Sequence, residues 1–137
     1  MPNNQTQEIY KSNIYSDMTD ERKKLLYKYQ KYSKELKKKT GLMGKLNDKC
    51  YEYLALNKNL KAERYLKEYK KEVLKTIKLH KEIKEEIIYS RYFLLLAKFK
   101  NKQKANIKKK KLLNKLQEAI NVSKKEVERA SNIIKTL

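Results

Sequence analysis

By residue type, the side chains best suited to nucleophilic catalysis are one histidine, His80, and one cysteine, Cys50. A thiolate beside an imidazole would make an activated nucleophile. Both residues, however, occupy positions in apolar patterns on two different predicted helices, where packed side chains are expected. We interpret Cys50 as a small core residue and His80 as a polar or edge residue of a helix seam. One histidine and one cysteine also cannot supply the usual ligand set of a zinc site within one chain.

Two other short patterns have the outline of a chemical site. The sequence GLMGKLND, at 41–48, superficially resembles the end of a phosphate-binding loop, but it lacks the first glycine and has Leu46 where the metal-binding hydroxyl belongs. Three glutamates cluster at 82–86, but lysines interleave with them, which is typical of a solvated face. We therefore predict no catalytic residue, no metal, no cofactor and no small-molecule substrate, and we do not expect an enzyme.

The charge distribution is more informative than any motif. The net charge is +20, and half of it falls in residues 87–117, which hold ten bases and no acid. Such a patch matches the phosphate backbone of a nucleic acid, the commonest intracellular polyanion. The predicted nucleic-acid-binding residues are Arg91, Lys98, Lys100, Lys102, Lys104, Lys108, Lys109, Lys110, Lys111 and Lys115.

The kinds of basic and aromatic residues indicate the mode of binding. Lysine outnumbers arginine 32 to 4, and lysine acts as a point charge whereas arginine forks onto guanine edges. We therefore expect contacts to the backbone without sequence specificity. Four tyrosines lie off the strict helix seams near basic residues and could stack on unpaired bases, although helical tyrosines more often pack. They are Tyr27, Tyr51, Tyr89 and Tyr92.

The elements that must position these residues are helices. Apart from Pro2, Gly41 and Gly44 the chain contains no proline or glycine, which a β-rich or α/β fold would need for its turns. We predict an all-α fold, an elongated helical bundle or coiled-coil hairpin of three to four helices. Residues 1–18 would form a flexible polar arm, and 19–137 a single helical domain. The predicted helices span about 19–40, 44–57, 60–98 and 106–137.

Helix boundaries come from caps and from the apolar period. Thr19 followed by two acids predicts the first helix start, and Gly41 after Thr40 predicts its stop. Asparagines around position 57 suggest the next break. Two later seams alternate steps of three and four residues. The first consists of Leu66, Tyr69, Val73, Thr76, His80, Ile83, Ile87, Ser90, Leu94 and Ala97, and the second of Leu113, Leu116, Ile120, Ser123, Val127, Ala130, Ile134 and Leu137.

Both seams fail in the stretch KFKNKQKANIKKKK, at 98–111, which holds eight lysines in fourteen residues. Extending either register puts Asn101, Lys104, Asn106 and Lys109 at core positions. A helix that is polar on all sides projects into solvent or is not helical. We therefore predict that this stretch forms an exposed basic tip or elbow between two long antiparallel helices.

Three functional interpretations follow. The first is a structural protein that associates with nucleic acid without sequence specificity. The second is a helical scaffold or assembly protein, an oligomeric coiled coil, whose charge meets an acidic protein. A peripheral membrane binder through 98–111 is physically possible, but we expect no membrane partner because the apolar run at 92–97 suits a bundle better.

Self-association or incorporation into a larger assembly is expected of such a thin helical core. No signal peptide or transmembrane run is visible, which predicts an intracellular location or one within a virion. In composition and helical character, the whole chain is similar to small structural proteins inside virus or phage particles, or to scaffolding proteins of their heads. No specific motif carries that similarity.

Overall fold

The structure is a computed structural model that describes residues 14–90, 93 and 102–137, with side chains from 20 onward except at 102. In these residues the regular structure is helical, without a strand. It consists of α1 (Ile14–Ala55), α2 (Asn59–Ile83), a π-helical turn (Lys84–Ile88) and α3 (Lys102–Thr136). The prediction of an all-α helical bundle is confirmed for this part of the chain. The stretch 1–13, most of the predicted arm, lies outside the described residues.

The first helix differs from its prediction. The expected helices 19–40 and 44–57 form one continuous helix, α1, which also begins five residues before Thr19. Neither Gly41 nor Gly44 has a positive φ, so neither takes the left-handed conformation of a helix stop. Glycine permits that conformation but does not require it. The stop predicted at Gly41 was therefore wrong.

A continuous buried face explains why α1 does not break. Leu36, Lys39, Met43 and Leu46 follow one another at steps of three, four and three residues, and all four are at least half-buried. The Lys39 ammonium lies 3.0 Å from a carboxylate oxygen of Glu72 on α2. Tertiary packing therefore continues on both sides of the glycines, and this packing outweighs their low helix propensity.

The true end of α1 lies at Asn57, which has φ 56°. The backbone N–H of Lys58 donates to the carbonyl oxygen of Tyr53 at 2.9 Å, and that of Asn57 donates to Leu54 at 3.1 Å. This pair of hydrogen bonds is the Schellman arrangement, in which a left-handed residue closes a helix. Asparagine tolerates this conformation better than most residues. The break suggested by the asparagines is confirmed.

The described residues belong to two compact units. Unit 1 comprises the chain up to Tyr32 together with Glu82–Lys115, and unit 2 comprises Ser33–Lys81 and Leu116–Leu137. Whether 19–137 acts as a single domain stays a prediction.

Unit 2 has a core drawn from all three helices. One cluster of buried residues contains Cys50, Ala62, Leu66 and Ala130, and a second contains Val73, Ile77 and Ile120. Four of these seven residues, Leu66, Val73, Ile120 and Ala130, are positions that the seams predicted. Ile77, which lies off the strict seam, is also buried, so α2 presents a broad apolar face.

A polar network lies beside the unit 2 core. The Arg129 guanidinium donates to Glu126 at 2.8 Å and to the hydroxyl oxygen of Tyr51 at 3.0 Å. Tyr69 donates its hydroxyl to the same Glu126 carboxylate at 2.9 Å. The Arg129 hydrogen bonds are the main cause of the lowered pKa of Glu126. The ion pair of Arg129 and Glu126 on α3 is therefore hydrogen-bonded to both Tyr51 of α1 and Tyr69 of α2.

Unit 1 contains the π-helical turn that follows α2. The predicted helix 60–98 is regular from Asn59 to Ile83, and the backbone N–H of Tyr89 then donates to Lys84, five residues earlier, at 3.0 Å. Residues 91, 92 and 94–98 of that prediction lie outside the described residues. Among the residues of this unit that the structure describes, the buried side chains are Leu25, Ile83, Ile87, Ile88, Phe93 and Ala105.

Candidate functional site

Most of the predicted binding residues lie on the first half of α3. Lys104, Lys108–Lys111 and Lys115 are all helical, and Lys102 is the first residue of α3. The helix predicted over about 106–137 is confirmed, and it begins four residues earlier, at Lys102. The expected tip or elbow is therefore wrong for residues 102–105, which belong to the helix itself. The other three predicted residues, Arg91, Lys98 and Lys100, lie outside the described residues.

The buried face of α3 continues into the lysine-rich stretch, contrary to the prediction that the seam fails there. Ala105 is fully buried and Lys109 is half-buried. Together with Leu112, Leu116 and Ile120 they follow one another at steps of four, three, four and four residues. A small alanine and the aliphatic stem of a lysine can both line a buried face. This is why a pattern based on large apolar residues missed it.

Four lysines form a single line on α3, which we call the lysine stripe. Lys104, Lys108, Lys111 and Lys115 are spaced four, three and four residues apart, and all four are exposed. Such spacing places side chains on one face of a helix. At a rise of about 1.5 Å per residue, the stripe extends roughly 16 Å along the axis. The spacing is visible in the sequence once the segment is known to be helical.

The segment that contains the stripe has no acidic residue of its own. Residues 87–117 contain no acid, and no ion pair within the described part of the chain involves Lys108, Lys111 or Lys115. Elsewhere lysines pair locally with glutamates three or four residues away, as Lys67 does with Glu63 at 3.2 Å. The positive charge of these three lysines therefore remains available to an external anion.

The side-chain charge at the start of α3 has the same positive sign as that end of the helix dipole. The first turn of α3 contains no acid, although the positive end of a helix dipole favours negative groups. Lysines three or four residues apart repel one another by about 0.2–0.5 kcal/mol a pair on an isolated helix. The first half of α3 is thus a helix whose electrostatic energy an anion would lower.

Lys109 is the exception among these lysines. Its ammonium lies over the ring of Tyr89, 5.6 Å from the centroid, within the range of a cation–π interaction. Tyr89 follows the π-helical turn and is 54% exposed. Residues 20 positions apart in the sequence thus meet, and Lys109 directly follows Lys108 of the stripe along α3.

The structure describes three of the four tyrosines that could stack on bases, and each has different surroundings. Tyr51 accepts a hydrogen bond from Arg129 in unit 2, and Tyr92 lies outside the described residues. Tyr27 is 69% exposed on α1. Tyr89 is the one in contact with a lysine of α3 within the described range. Sequence reasoning could not choose among them, because the choice depends on contacts across the fold.

The basic run at 22–39 of α1 is a second positively charged surface. Its lysines at 23, 28, 31 and 34 are exposed, but it contains one acid, Glu35, and two of its lysines pair with acids outside the run. Lys24 pairs with Glu21 at 3.3 Å, and Lys39 pairs with Glu72 of α2. Its charge is therefore more compensated than that of the stripe.

The two residues considered first for catalysis are both engaged in packing. Cys50 is 2% exposed, and burial raises the pKa of its thiol, so the sulfur stays protonated near neutral pH and packs as a small apolar group. Burial likewise lowers the pKa of His80, an effect that the Thr76 backbone partly offsets. The interpretation of Cys50 as a core residue is confirmed.

The described residues form neither a metal site nor a membrane-spanning helix. Among the described residues there is no group of three or more histidine, cysteine, aspartate or glutamate side chains that could hold a metal ion. None of the helices described is long and apolar enough to cross a membrane.

Comparison of the chain with protein-family models, with curated proteins and with solved structures found no match.

Proposed function

We propose that the protein binds nucleic acids through their phosphate backbone, without reading base sequence, and that the lysine stripe of α3 is the main contact. The observation that carries the proposal is the stripe itself. It consists of four exposed lysines on one helix face, inside a 31-residue segment that has no acid. No enzymatic activity is part of the proposal.

The chemistry of lysine supports backbone contact over base readout. An ammonium group is a compact charge that attracts phosphate from many directions, whereas specific major-groove contacts usually need the forked geometry of arginine. The stripe contains no arginine. Because phosphates are spaced regularly along any nucleic acid, a line of lysines would contact unrelated sequences equally well.

The energetics of α3 also favour an anionic partner. The lysines of the stripe repel one another, and the positive end of the helix dipole repels them as well. Both effects destabilise the first half of α3. A polyanion bound along the stripe would remove this repulsion and release the counterions condensed on its own backbone. Binding should therefore stabilise the fold and become weaker as salt is added.

The test is the salt dependence of binding to short labelled oligonucleotides of unrelated sequence, in duplex and single-stranded form. A stripe variant, with Lys104, Lys108, Lys111 and Lys115 changed to glutamine, is compared with a matched control. In the control, four exposed lysines of unit 2 are changed to glutamine, namely Lys45, Lys71, Lys78 and Lys125. Both variants lose four charges, so net charge alone cannot explain a difference between them.

The expected result is a selective loss in the stripe variant. Each phosphate contact contributes about 0.9 to the slope of log affinity against log salt for duplex DNA. The slope of the stripe variant should be smaller in magnitude than that of the wild type by roughly three to four, whereas the slope of the control should change little. Circular dichroism should show unchanged helicity, and at low salt the stripe variant should unfold at a higher temperature because repulsion is relieved.

Other outcomes would contradict the proposal in identifiable ways. If neither variant changes binding, the stripe is not the contact, and the basic run at 22–39 becomes the surface to change next. If the wild-type protein binds no nucleic acid at low salt, the proposal fails. Polyglutamate serves as a carboxylate polyanion. If it binds more tightly than an oligonucleotide of equal charge, the proposal also fails, and an acidic protein is the better partner.

A further inference from the structure

The cation–π pair of Tyr89 and Lys109 is a second feature of the basic region of α3 that phosphate contact alone does not use. Tyr89 lies in the turn that ends the π-helical segment, where its N–H is fixed by the hydrogen bond to Lys84. Its ring is half exposed and carries the Lys109 ammonium over one face. An aromatic ring is thus held at a defined place beside the ammonium of Lys109.

We propose that Tyr89 and Lys109 form a subsite for one unpaired nucleotide, in which the Tyr89 ring stacks on the base and the Lys109 ammonium contacts a neighbouring phosphate. This inference rests on the proposed function and adds a ligand class to it, single-stranded nucleic acid. Every base has an aromatic face, so stacking tolerates any sequence. A duplex base is already stacked on its neighbours and cannot use the ring.

The geometry favours this pair over the other aromatic candidates. Base stacking platforms in single-strand binding proteins combine an exposed ring with positive charges that follow the backbone. Tyr51 has its hydroxyl bound by Arg129 and lies in unit 2. Tyr27 is exposed in unit 1, but the described structure places no lysine over its ring. Tyr89 meets both requirements, because its ring is exposed and the Lys109 ammonium lies over it.

A fluorescence reporter tests the subsite directly, because the chain contains no tryptophan. Tyr89→Trp places a single indole at the subsite, and Tyr27→Trp places one at an exposed control position. In the first variant, stacking on a base should quench the indole as a single strand is added, with the same midpoint as the anisotropy change of the oligonucleotide. In the control variant the indole should stay unquenched. Polyphosphate, which has charge but no bases, should quench neither variant.

Affinity measurements with three further variants complete the test. Tyr89→Leu removes the ring and should weaken single-strand binding by about five- to a hundredfold, the usual effect of losing one stacked base. Duplex binding should stay within about twofold. Tyr89→Phe retains the ring and should restore single-strand affinity. Tyr27→Leu should behave as wild type on both ligands. Thermal unfolding of each variant checks that the fold is intact.

Failure of this inference is distinguishable from failure of the proposed function. If single strands and duplexes bind with the lysine-dependent salt slope but Tyr89→Leu binds single strands as wild type does, only the subsite is refuted. Absence of quenching in Tyr89→Trp at saturating single strand refutes it as well. If no nucleic acid binds at all, the proposed function fails and the subsite fails with it.

Discussion

Replacing Gly41 and Gly44 by alanine should stabilise the protein, although the sequence taken alone predicts the opposite. Both residues lie inside α1 and neither has a positive φ. A Cβ built at either position meets nothing within 4 Å. Alanine would therefore fit without a clash or a change of backbone conformation.

The magnitude follows from the backbone freedom that glycine loses on folding. A glycine in a helix interior destabilises by roughly 0.5–1 kcal/mol relative to alanine, chiefly because glycine has more conformations available in the unfolded chain. The two alanine side chains would not contact other groups, so their effects should nearly add. We expect Gly41→Ala with Gly44→Ala to raise the free energy of unfolding by about 1–2 kcal/mol.

Denaturant unfolding followed by circular dichroism measures this change as a higher midpoint with an unchanged slope. Asn57→Ala is the control of opposite sign. Its φ of 56° is unfavourable for alanine, and we expect a loss of about 1 kcal/mol. If Gly41 instead ended a helix in a left-handed conformation, Gly41→Ala would also destabilise by about 1 kcal/mol. A loss of stability in Gly41→Ala would thus refute the continuous helix.

Two further predictions concern buried ionisable groups. Because burial lowers the pKa of His80 below 6.5, the folded state binds its proton less readily than the unfolded state. Its contribution to stability is present above pH 6.5 and is lost as the pH falls below that value. Unfolding titrations from pH 7 to 5 should show this loss in wild type and a smaller one in His80→Gln, and equal losses would refute the assignment. The carboxylate of Glu72, whose pKa is lowered chiefly by the hydrogen bond from Lys39, contributes stability at neutral pH. That contribution is lost only as the pH falls below the ordinary carboxyl value of 4.5, outside the range of this titration. A double-mutant cycle with Lys39→Met and Glu72→Gln should give a coupling of about 1–3 kcal/mol, because this pair is only 16% and 14% exposed. The exposed pair of Lys24 and Glu21 should give less than about 0.5 kcal/mol. Equal couplings in the two cycles would show that burial does not strengthen the first pair.

The sequence predicted helices well where every seam position carries an apolar, small or uncharged polar residue. The seam from Leu66 to Ile87 is half-buried or buried throughout, as is the one from Leu113 to Ile134. In both, steps of three and four residues repeat without interruption, so the period alone identifies the helix and its inner face. Unit 2, which contains most of these positions, was largely predictable.

Prediction failed at two places where a lysine occupies a seam position. Lys39 lies between Leu36 and Met43 in α1, and Lys109 lies between Ala105 and Leu112 in α3. Counted as polar, each interrupts the apolar pattern. In the structure each ammonium has a specific partner, the Glu72 carboxylate for Lys39 and the Tyr89 ring for Lys109. The four methylenes of lysine can cover apolar surface while the charge reaches such a partner. A partner 20 or more residues away cannot be found from local pattern.

Because a lysine can either pack against the fold or face solvent, a count of charges does not identify which lysines form the site. The ten bases of 87–117 were predicted as one patch, but α3 gives its lysines different surroundings. The stripe lysines face solvent along one line, whereas Lys109 is half-buried against Tyr89. A phosphate backbone responds to charges that it can approach, so binding strength should depend on the stripe more than on the total. The lysines at seam positions, Lys39 and Lys109, are packed against other parts of the fold. Their contribution to binding depends on the ring or carboxylate that they already contact, which is why the Tyr89 subsite and the stripe are separable in experiment.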